Sequence, residues 1–231
     1  MTASWDYGLV AFLDVLGFAA LVEADSRSAS PEHLDRLLES LAEARSSTAT
    51  GHLDLRAFSD SIIISAPLTL PKVCDITQGV IGLQRIFVRH GVLVRGAIAF
   101  GKHYSDPEAI YSEALVLAYR LEKDHARFPR VLIDANLFDW FDNDVRNTTD
   151  QRQSLRSTLL RDRDNQLFLN YLDPSLLAKH REIILSYNAT TTAATILEKI
   201  QWLALYHNHI AALIGPESVI SGPLSGSFQT V

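Results

Sequence analysis

Apolar positions along the chain recur at two spacings, and the switches between them divide it into strands and helices. A near-continuous apolar run over 8–14 reads as a strand buried on both faces, Leu16-Gly17-Phe18 as a turn, and 19–25 as the start of a helix. After a polar break, Ser30 and Pro31 suit a helix start. Leu34, Leu37, Leu38, Leu41 and Ala42 then recur at helical spacing to about 45, and 46–51 reads as loop. Runs at 53–58 and 61–66 form a hairpin with Asp60 at its junction. The next helix, 72–90, carries Val73, Ile76, Val80, Leu83, Ile86 and Phe87 on one face, and Gly91 is placed to end it. A strongly apolar strand at 92–100 is broken only by Arg95; 101–107 reads as loop, 109–124 as a helix and 130–134 as a short strand. This order predicts an α+β fold: a ferredoxin-like sheet with helices on one face.

From about 135 the pattern changes, so 1–135 is read as the core domain and 136–231 as a mainly helical C-terminal extension packing on the core or on a dimer interface. Asp139-Trp140-Phe141-Asp142-Asn143-Asp144 reads as a helix end, and the Arg-, Asp-, Asn- and Gln-rich 144–166 as a surface excursion. One strand is expected at 167–172, then helices at 174–187 and 192–213. The second helix displays Ile196, Ile200, Leu203, Tyr206 and Ile210, a stripe that points to core or dimer packing. The Gly-, Ser- and Pro-rich tail from 215 is expected to fray.

Composition narrows the classes. Hydrophobic residues make up 47% and charged residues 21% of the 231, which is ordinary for a globular chain and excludes wholesale disorder. A formal net charge of -6 argues against general nucleic-acid binding, which needs a basic surface. The one cysteine, Cys74, allows neither an internal disulfide nor a thiolate metal site. No apolar run reaches the length of a membrane span, and the start of the chain lacks the basic flank of a signal peptide, so a cytoplasmic setting without membrane or nucleic-acid partners is the expectation.

Chemistry enters where the apolar pattern is broken. Asp14 interrupts the first strand and Asp60 sits at the hairpin, each among apolar neighbours. An unpaired carboxylate there is costly, and two of them suit a shared hard cation such as Mg²⁺ or Mn²⁺ whose other ligands are water and phosphate oxygens. Amides of a turn before a helix, as at Leu16-Gly17-Phe18, can bind phosphate. A guanidinium at Arg95 in so apolar a strand needs an anion, either a protein carboxylate or a phosphate. No Walker loop, HExxH, nucleophile elbow or Ser-His-Asp set is present.

In sequence order, four segments resemble the motifs of class III nucleotidyl cyclases: Phe12-Leu13-Asp14-Val15-Leu16-Gly17-Phe18, Phe58-Ser59-Asp60-Ser61, Val94-Arg95-Gly96-Ala97-Ile98-Ala99-Phe100-Gly101, and Ala118-Tyr119-Arg120-Leu121-Glu122. The wording is closest to the Pycsar uridylate cyclases of bacterial antiphage defence. The resemblance implies cyclisation of UTP to 3′,5′-cyclic UMP and pyrophosphate in a homodimer with shared active sites. It also implies two Mn²⁺ or Mg²⁺ ions per site and a product that acts on a separate effector. By position, Asp14, Asp60 and the Val15 carbonyl would hold the ions, and Leu16, Gly17 and Phe18 the triphosphate. Arg95 and Arg130 would contact phosphate, Arg120 the transition state, and Arg56 the base. Two departures stand out: Val116 replaces the asparagine one turn before Arg120, while Ser112 and Ala109 replace a glycine and a base-reading polar residue. These fit an altered base pocket. Arg56 only donates hydrogen bonds, which suits a carbonyl of uracil or of cytosine. A CTP cyclase, and a nucleotide-binding or dimerisation module without turnover, are the alternatives.

Overall fold

The computed structural model describes residues 5–50, 53–190, 192–215, 218–220 and 228–231. Nine strands among them join one sheet in the order β2-β3-β1-β4-β6-β8-β7-β9, with β5 paired to β4. The strands are β1 Asp6–Val15, β2 Asp54–Phe58, β3 Ser61–Pro67, β4 Val94–Ser105, β5 Ile110–Ser112, β6 Val131–Ile133, β7 Leu159–Arg161, β8 Leu167–Leu169 and β9 Gln229–Thr230. The helices are α1 Phe18–Ser26, α2 Glu32–Thr50, α3 Leu70–Arg89, α4 Glu113–His125, α5 Ala135–Asn143, α6 Thr149–Ser157, α7 Leu177–Thr190 and α8 Ala194–Ala211. The first four strands in space, β2-β3-β1-β4, are antiparallel neighbours in the ferredoxin-like order that the hydrophobic pattern predicts.

Side chains alternate across each strand, and the alternation splits this sheet into two faces. Leu9, Ala11, Leu13 and Val15 of β1 join Ile62 and Ile64 of β3 and Val94 and Ile98 of β4 in the main core, against Leu41 and Ala44 of α2 and Val73, Ile76, Val80 and Phe87 of α3. Burying each Leu, Ile or Phe side chain in such a core contributes about 1.5–3 kcal/mol. Val10, Phe12 and Asp14 point the other way. There α4 crosses the sheet, with Tyr119 edge-on to Phe12 at 5.5 Å and Ala114 against Gly101. Thus α1–α3 cover one face, and α4 covers part of the other.

Several expected boundaries move. The loop expected from 46 is helix through Thr50, because Ser46 and Thr48 return their hydroxyls to the carbonyls of Ala42 and Ala44 while Ala44 and Thr48 stay buried. Its last expected residue, 51, lies outside the described residues. The expected loop at 101–107 is mostly strand. β4 runs on because its far end pairs with both β1 and β5, and the Asp106 carboxylate closes the β4–β5 turn by accepting from the amides of Glu108 and Ala109. Helix α4 accordingly starts only at Glu113, capped by Ser112.

The 144–166 segment is not a bare excursion. It holds α6, closed by a Thr148/Gln151 capping box, and β7, with Leu155, Leu159 and Leu160 buried. Its charges pair within the chain, Arg146 with Asp144 and Arg156 with Asp142. The extension contributes β7, β8 and β9 where one strand is expected, all in the same sheet as the core strands. Of the tail, 216–217 and 221–227 lie outside the described residues, but Phe228 is buried and Gln229–Thr230 pairs with β7. No helix among the described residues is long and apolar enough to cross a membrane.

Candidate active site

Strand register builds the site. Phe58 of β2 lies opposite Ser61 of β3, Ser61 opposite Asp14 of β1, and Asp14 opposite Arg95 of β4. Directly opposed residues share a face with neighbouring Cβ atoms, so Asp14 and Arg95 must meet. Arg95 Nε donates to Asp14 Oδ2 at 3.0 Å. Glu122 reaches the same guanidinium from α4, its Oε1 2.9 Å from Nε and its side chain 4% exposed. Arg95 also donates to the Ala126 carbonyl. Gly96 makes the close approach of β1 and β4 possible, since a Cβ there would collide with the Phe12 carbonyl oxygen.

Asp60 arrives from the two-residue turn between β2 and β3. Ser59 takes a left-handed φ of 56° there, a conformation that disfavours side chains, and so turns Asp60 toward β1. The Asp60 carbonyl accepts from the Val15 amide at 3.0 Å, locking the hairpin tip to the end of β1. Burial, reinforced by the Asp60 charge and opposed by Arg95, raises the Asp14 carboxyl above its ordinary range. Burial likewise raises Glu122.

The arrangement fits a hard divalent cation. Two carboxylates are held close enough to repel, Arg95 balances only one of them, and the ligand atoms are oxygens. Among the described residues no three His, Cys, Asp or Glu side chains gather around one point, so the remaining ligands would be the Val15 carbonyl, water and substrate. Beyond Val15, Leu16 donates to the Leu93 carbonyl at 2.9 Å and Gly17 turns with φ 77°, where only glycine is unstrained. Gly17 is the N-cap of α1 and has no side-chain cap, so the first-turn amides at Phe18 are without intrahelical partners.

The other expected residues divide. Arg56 lies on the same sheet face, in the adjacent row with Ile63 and Phe12, where Asp54 holds its Nε at 3.0 Å. Arg120 is exposed on the side of α4 opposite the buried Ala114-Ala118-Glu122 stripe, and pairs with no acid among the described residues. Arg95 meets protein carboxylates, one of the two kinds of anion the sequence leaves open. Arg130 is a correction to the expected phosphate contact. Its side chain is 0% exposed and bound to Asp162 and Asp164, with Phe128, Phe168 and Trp202 around the guanidinium. A buried guanidinium requires such partners, and here they leave no face for a ligand.

One residue beside this corner was not singled out by the sequence. Lys199 of α8 lines a cavity of about 100 Å³ with Leu16, Gly17, Leu93, Pro129 and Leu203. A lone lysine inside the stripe formed by Ile196, Ile200 and Leu203 was the available signal.

No protein-family model matches the sequence, nor does any curated protein. Solved structures do match. The adenylyl cyclase CyaB from P. aeruginosa superposes with a TM-score of 0.51 and 13% identity, covering 73% of this chain and 95% of that one. The catalytic core of a rhodopsin-guanylyl cyclase with converted specificity, in complex with ATPαS, gives 0.52 at 9% identity, covering 73% and 98%. The monomeric guanylyl cyclase domain of the RhoGC fusion protein from the aquatic fungus Blastocladiella emersonii gives 0.50 at 13%, covering 73% and 96%. At such identities the likeness speaks to architecture: this chain has the fold of the class III nucleotidyl cyclase catalytic domain.

Proposed function

We propose that the chain is a nucleotidyl cyclase that closes a nucleoside triphosphate into its 3′,5′-cyclic monophosphate and releases pyrophosphate. The observation that carries this reading is the pairing of Asp14 with Asp60 beside the uncapped Gly17 turn, on the cyclase fold. Asp14, Asp60 and the Val15 carbonyl would hold Mn²⁺ or Mg²⁺, which would supply positive charge to acidify the ribose 3′-hydroxyl and to offset charge on the triphosphate. The amides at Gly17 and Phe18 bind the phosphates, the Leu16 amide being taken by the Leu93 carbonyl, and Arg95 fixes the orientation of Asp14. The 3′-oxygen then forms its bond to the α-phosphorus as the bond to the β-phosphate oxygen breaks; the hydroxyl proton goes to water.

Arg120 faces away from its own site, so it acts on the α-phosphate bound to a second copy, where positioned positive charge stabilises the transition state. A homodimer with shared sites follows. It is supported by apolar surface on this sheet face: Phe58, in the Asp14 row, is 85% exposed, and Tyr119 beside Arg120 is 46% exposed. Arg56 donates to a base carbonyl, and the likeness to Pycsar enzymes favours UTP, cyclic UMP and a separate effector in antiphage defence in the cytoplasm.

Incubating the protein with each of the four nucleoside triphosphates and Mn²⁺, followed by mass spectrometry, tests the activity and the base together. Cyclic UMP is expected; cyclic CMP transfers the preference to CTP, and no cyclic product removes the enzyme reading. Asp14→Ala and Asp60→Ala each abolish product. Mixing Asp60→Ala with Arg120→Ala restores part of it, because one composite site is then intact; no recovery after confirmed subunit exchange refutes shared sites.

A further inference from the structure

The triphosphate turn lacks the cation that the family likeness assigns to it. Arg130 is enclosed by Asp162 and Asp164, Arg95 is occupied by Asp14 and Glu122, and Arg56 is held by Asp54. Backbone amides orient phosphate oxygens, but three or more negative charges in a half-buried corner also call for a mobile positive charge.

We propose that Lys199 is that charge: α8 of the C-terminal extension places its ammonium at the Gly17 turn to bind the terminal phosphates of the nucleotide. The assignment rests on the cyclase reading above. Four observations support it. Lys199, Leu16 and Gly17 line one cavity. Among the described residues the Lys199 side chain makes no hydrogen bond or ion pair, whereas its neighbour Glu198 is taken by Arg127. Lys199 lies between Ile196, Ile200 and Leu203, of which Ile200 and Leu203 are buried, so packing at this position does not itself call for a charge. Burial first, and then the nearby Arg95, hold the ammonium below its ordinary range, while Asp14 acts in the opposite sense. An ammonium disfavoured by its surroundings and within reach of the Asp14 charge is relieved by an incoming polyanion. The extension then completes the active site.

Inorganic tripolyphosphate isolates the phosphate interaction from the base. The preformed Mn²⁺–tripolyphosphate complex is titrated calorimetrically into the full-length wild type, Lys199→Gln, Lys199→Met and Lys199→Arg, with Mn²⁺ alone titrated in parallel. Loss of one charge-assisted contact weakens tripolyphosphate binding about ten-fold in the Gln and Met variants. Arg restores it to within about three-fold, and Mn²⁺ binding is unchanged throughout. Wild-type affinity in Lys199→Gln or Lys199→Met overturns the role of Lys199 and leaves the cyclase reading standing. Failure of the wild type to bind tripolyphosphate at all overturns the phosphate-turn reading and Lys199 with it.

Discussion

Two arginines beside apolar strands show what a single residue can and cannot announce. The resemblance points Arg130 at phosphate, and the sequence marks Arg95 as needing an anion because a guanidinium is rarely buried unpaired. It does not say which anions, since the partners lie far along the chain: Asp14 and Glu122 for Arg95, Asp162 and Asp164 for Arg130. Asp14 and Asp60 were legible for the opposite reason, each being an acid whose apolar neighbours are adjacent in sequence. Lys199 was not, because its meaning depends on α8 docking beside Gly17. The two roles for Arg130 differ in their consequences. A phosphate ligand is replaceable with little effect on folding, whereas removing one member of a buried ion pair strands the other and costs about 3–5 kcal/mol. Arg130→Met is therefore expected to lower unfolding free energy in urea by that amount, and Arg130→Lys also to destabilise, because one ammonium does not span both carboxylates. An unchanged urea midpoint in Arg130→Met refutes the structural role.

Among elements, the ones found from periodicity alone are those with an unbroken apolar stripe: β1, the β2–β3 hairpin and α3 all stand within a few residues of their expected bounds. Elements whose polar residues are satisfied internally were hidden. The last turns of α2, the end of β4 with β5, and α6 with β7 carry Ser, Thr, Asp and Arg that look like loop until their hydrogen-bond partners are known. The α7–α8 pair adds a device that periodicity cannot show. His180 and His207 stack with ring centroids 5.5 Å apart, and His180 Nε2 meets the Tyr171 hydroxyl while His207 Nε2 meets the Ser218 carbonyl. Burial, with a smaller contribution from His207, pulls His180 down to about 3. The unfolded chain binds its proton near the ordinary 6.5, so between these values the unfolded state holds a proton that the folded state refuses. This contribution to stability is complete above pH 6.5 and falls as pH drops toward 3, with a limiting slope of about 1.4 kcal/mol per pH unit. Urea unfolding between pH 7 and 4 is expected to show this loss, and His180→Asn to flatten it. An equally steep acid limb in His180→Asn would place the proton uptake elsewhere.

For the whole molecule, the change in composition near 135 suggests a boundary, yet the structure carries the sheet straight across it. β6 pairs in parallel with β4 on one side and antiparallel with β8 on the other. Leu132 is fully buried between Ala97 and Phe168, its register partners on β4 and β8. Beyond β8, Trp202 stacks on Phe128 at 5.6 Å and meets Phe168, Tyr206 and Phe228, so residues from the β4–β6 connection, the extension helices and the end of the chain share one aromatic cluster. The hydrophobic core is likewise continuous from Leu9 to Phe228. A shared core unfolds cooperatively, because neither part retains its buried surface without the other. Far-UV circular dichroism and the fluorescence of Trp202, isolated by Trp5→Phe and Trp140→Phe, are therefore expected to give one coincident urea transition. Phe228→Ala should move both probes together, by about 3 kcal/mol, since it opens a cavity in the common cluster. Independent folding of the extension predicts instead that Phe228→Ala shifts the Trp202 signal and leaves most of the dichroism transition in place. That separation would restore the boundary near 135 and detach Lys199 from the folding of the site it is proposed to serve.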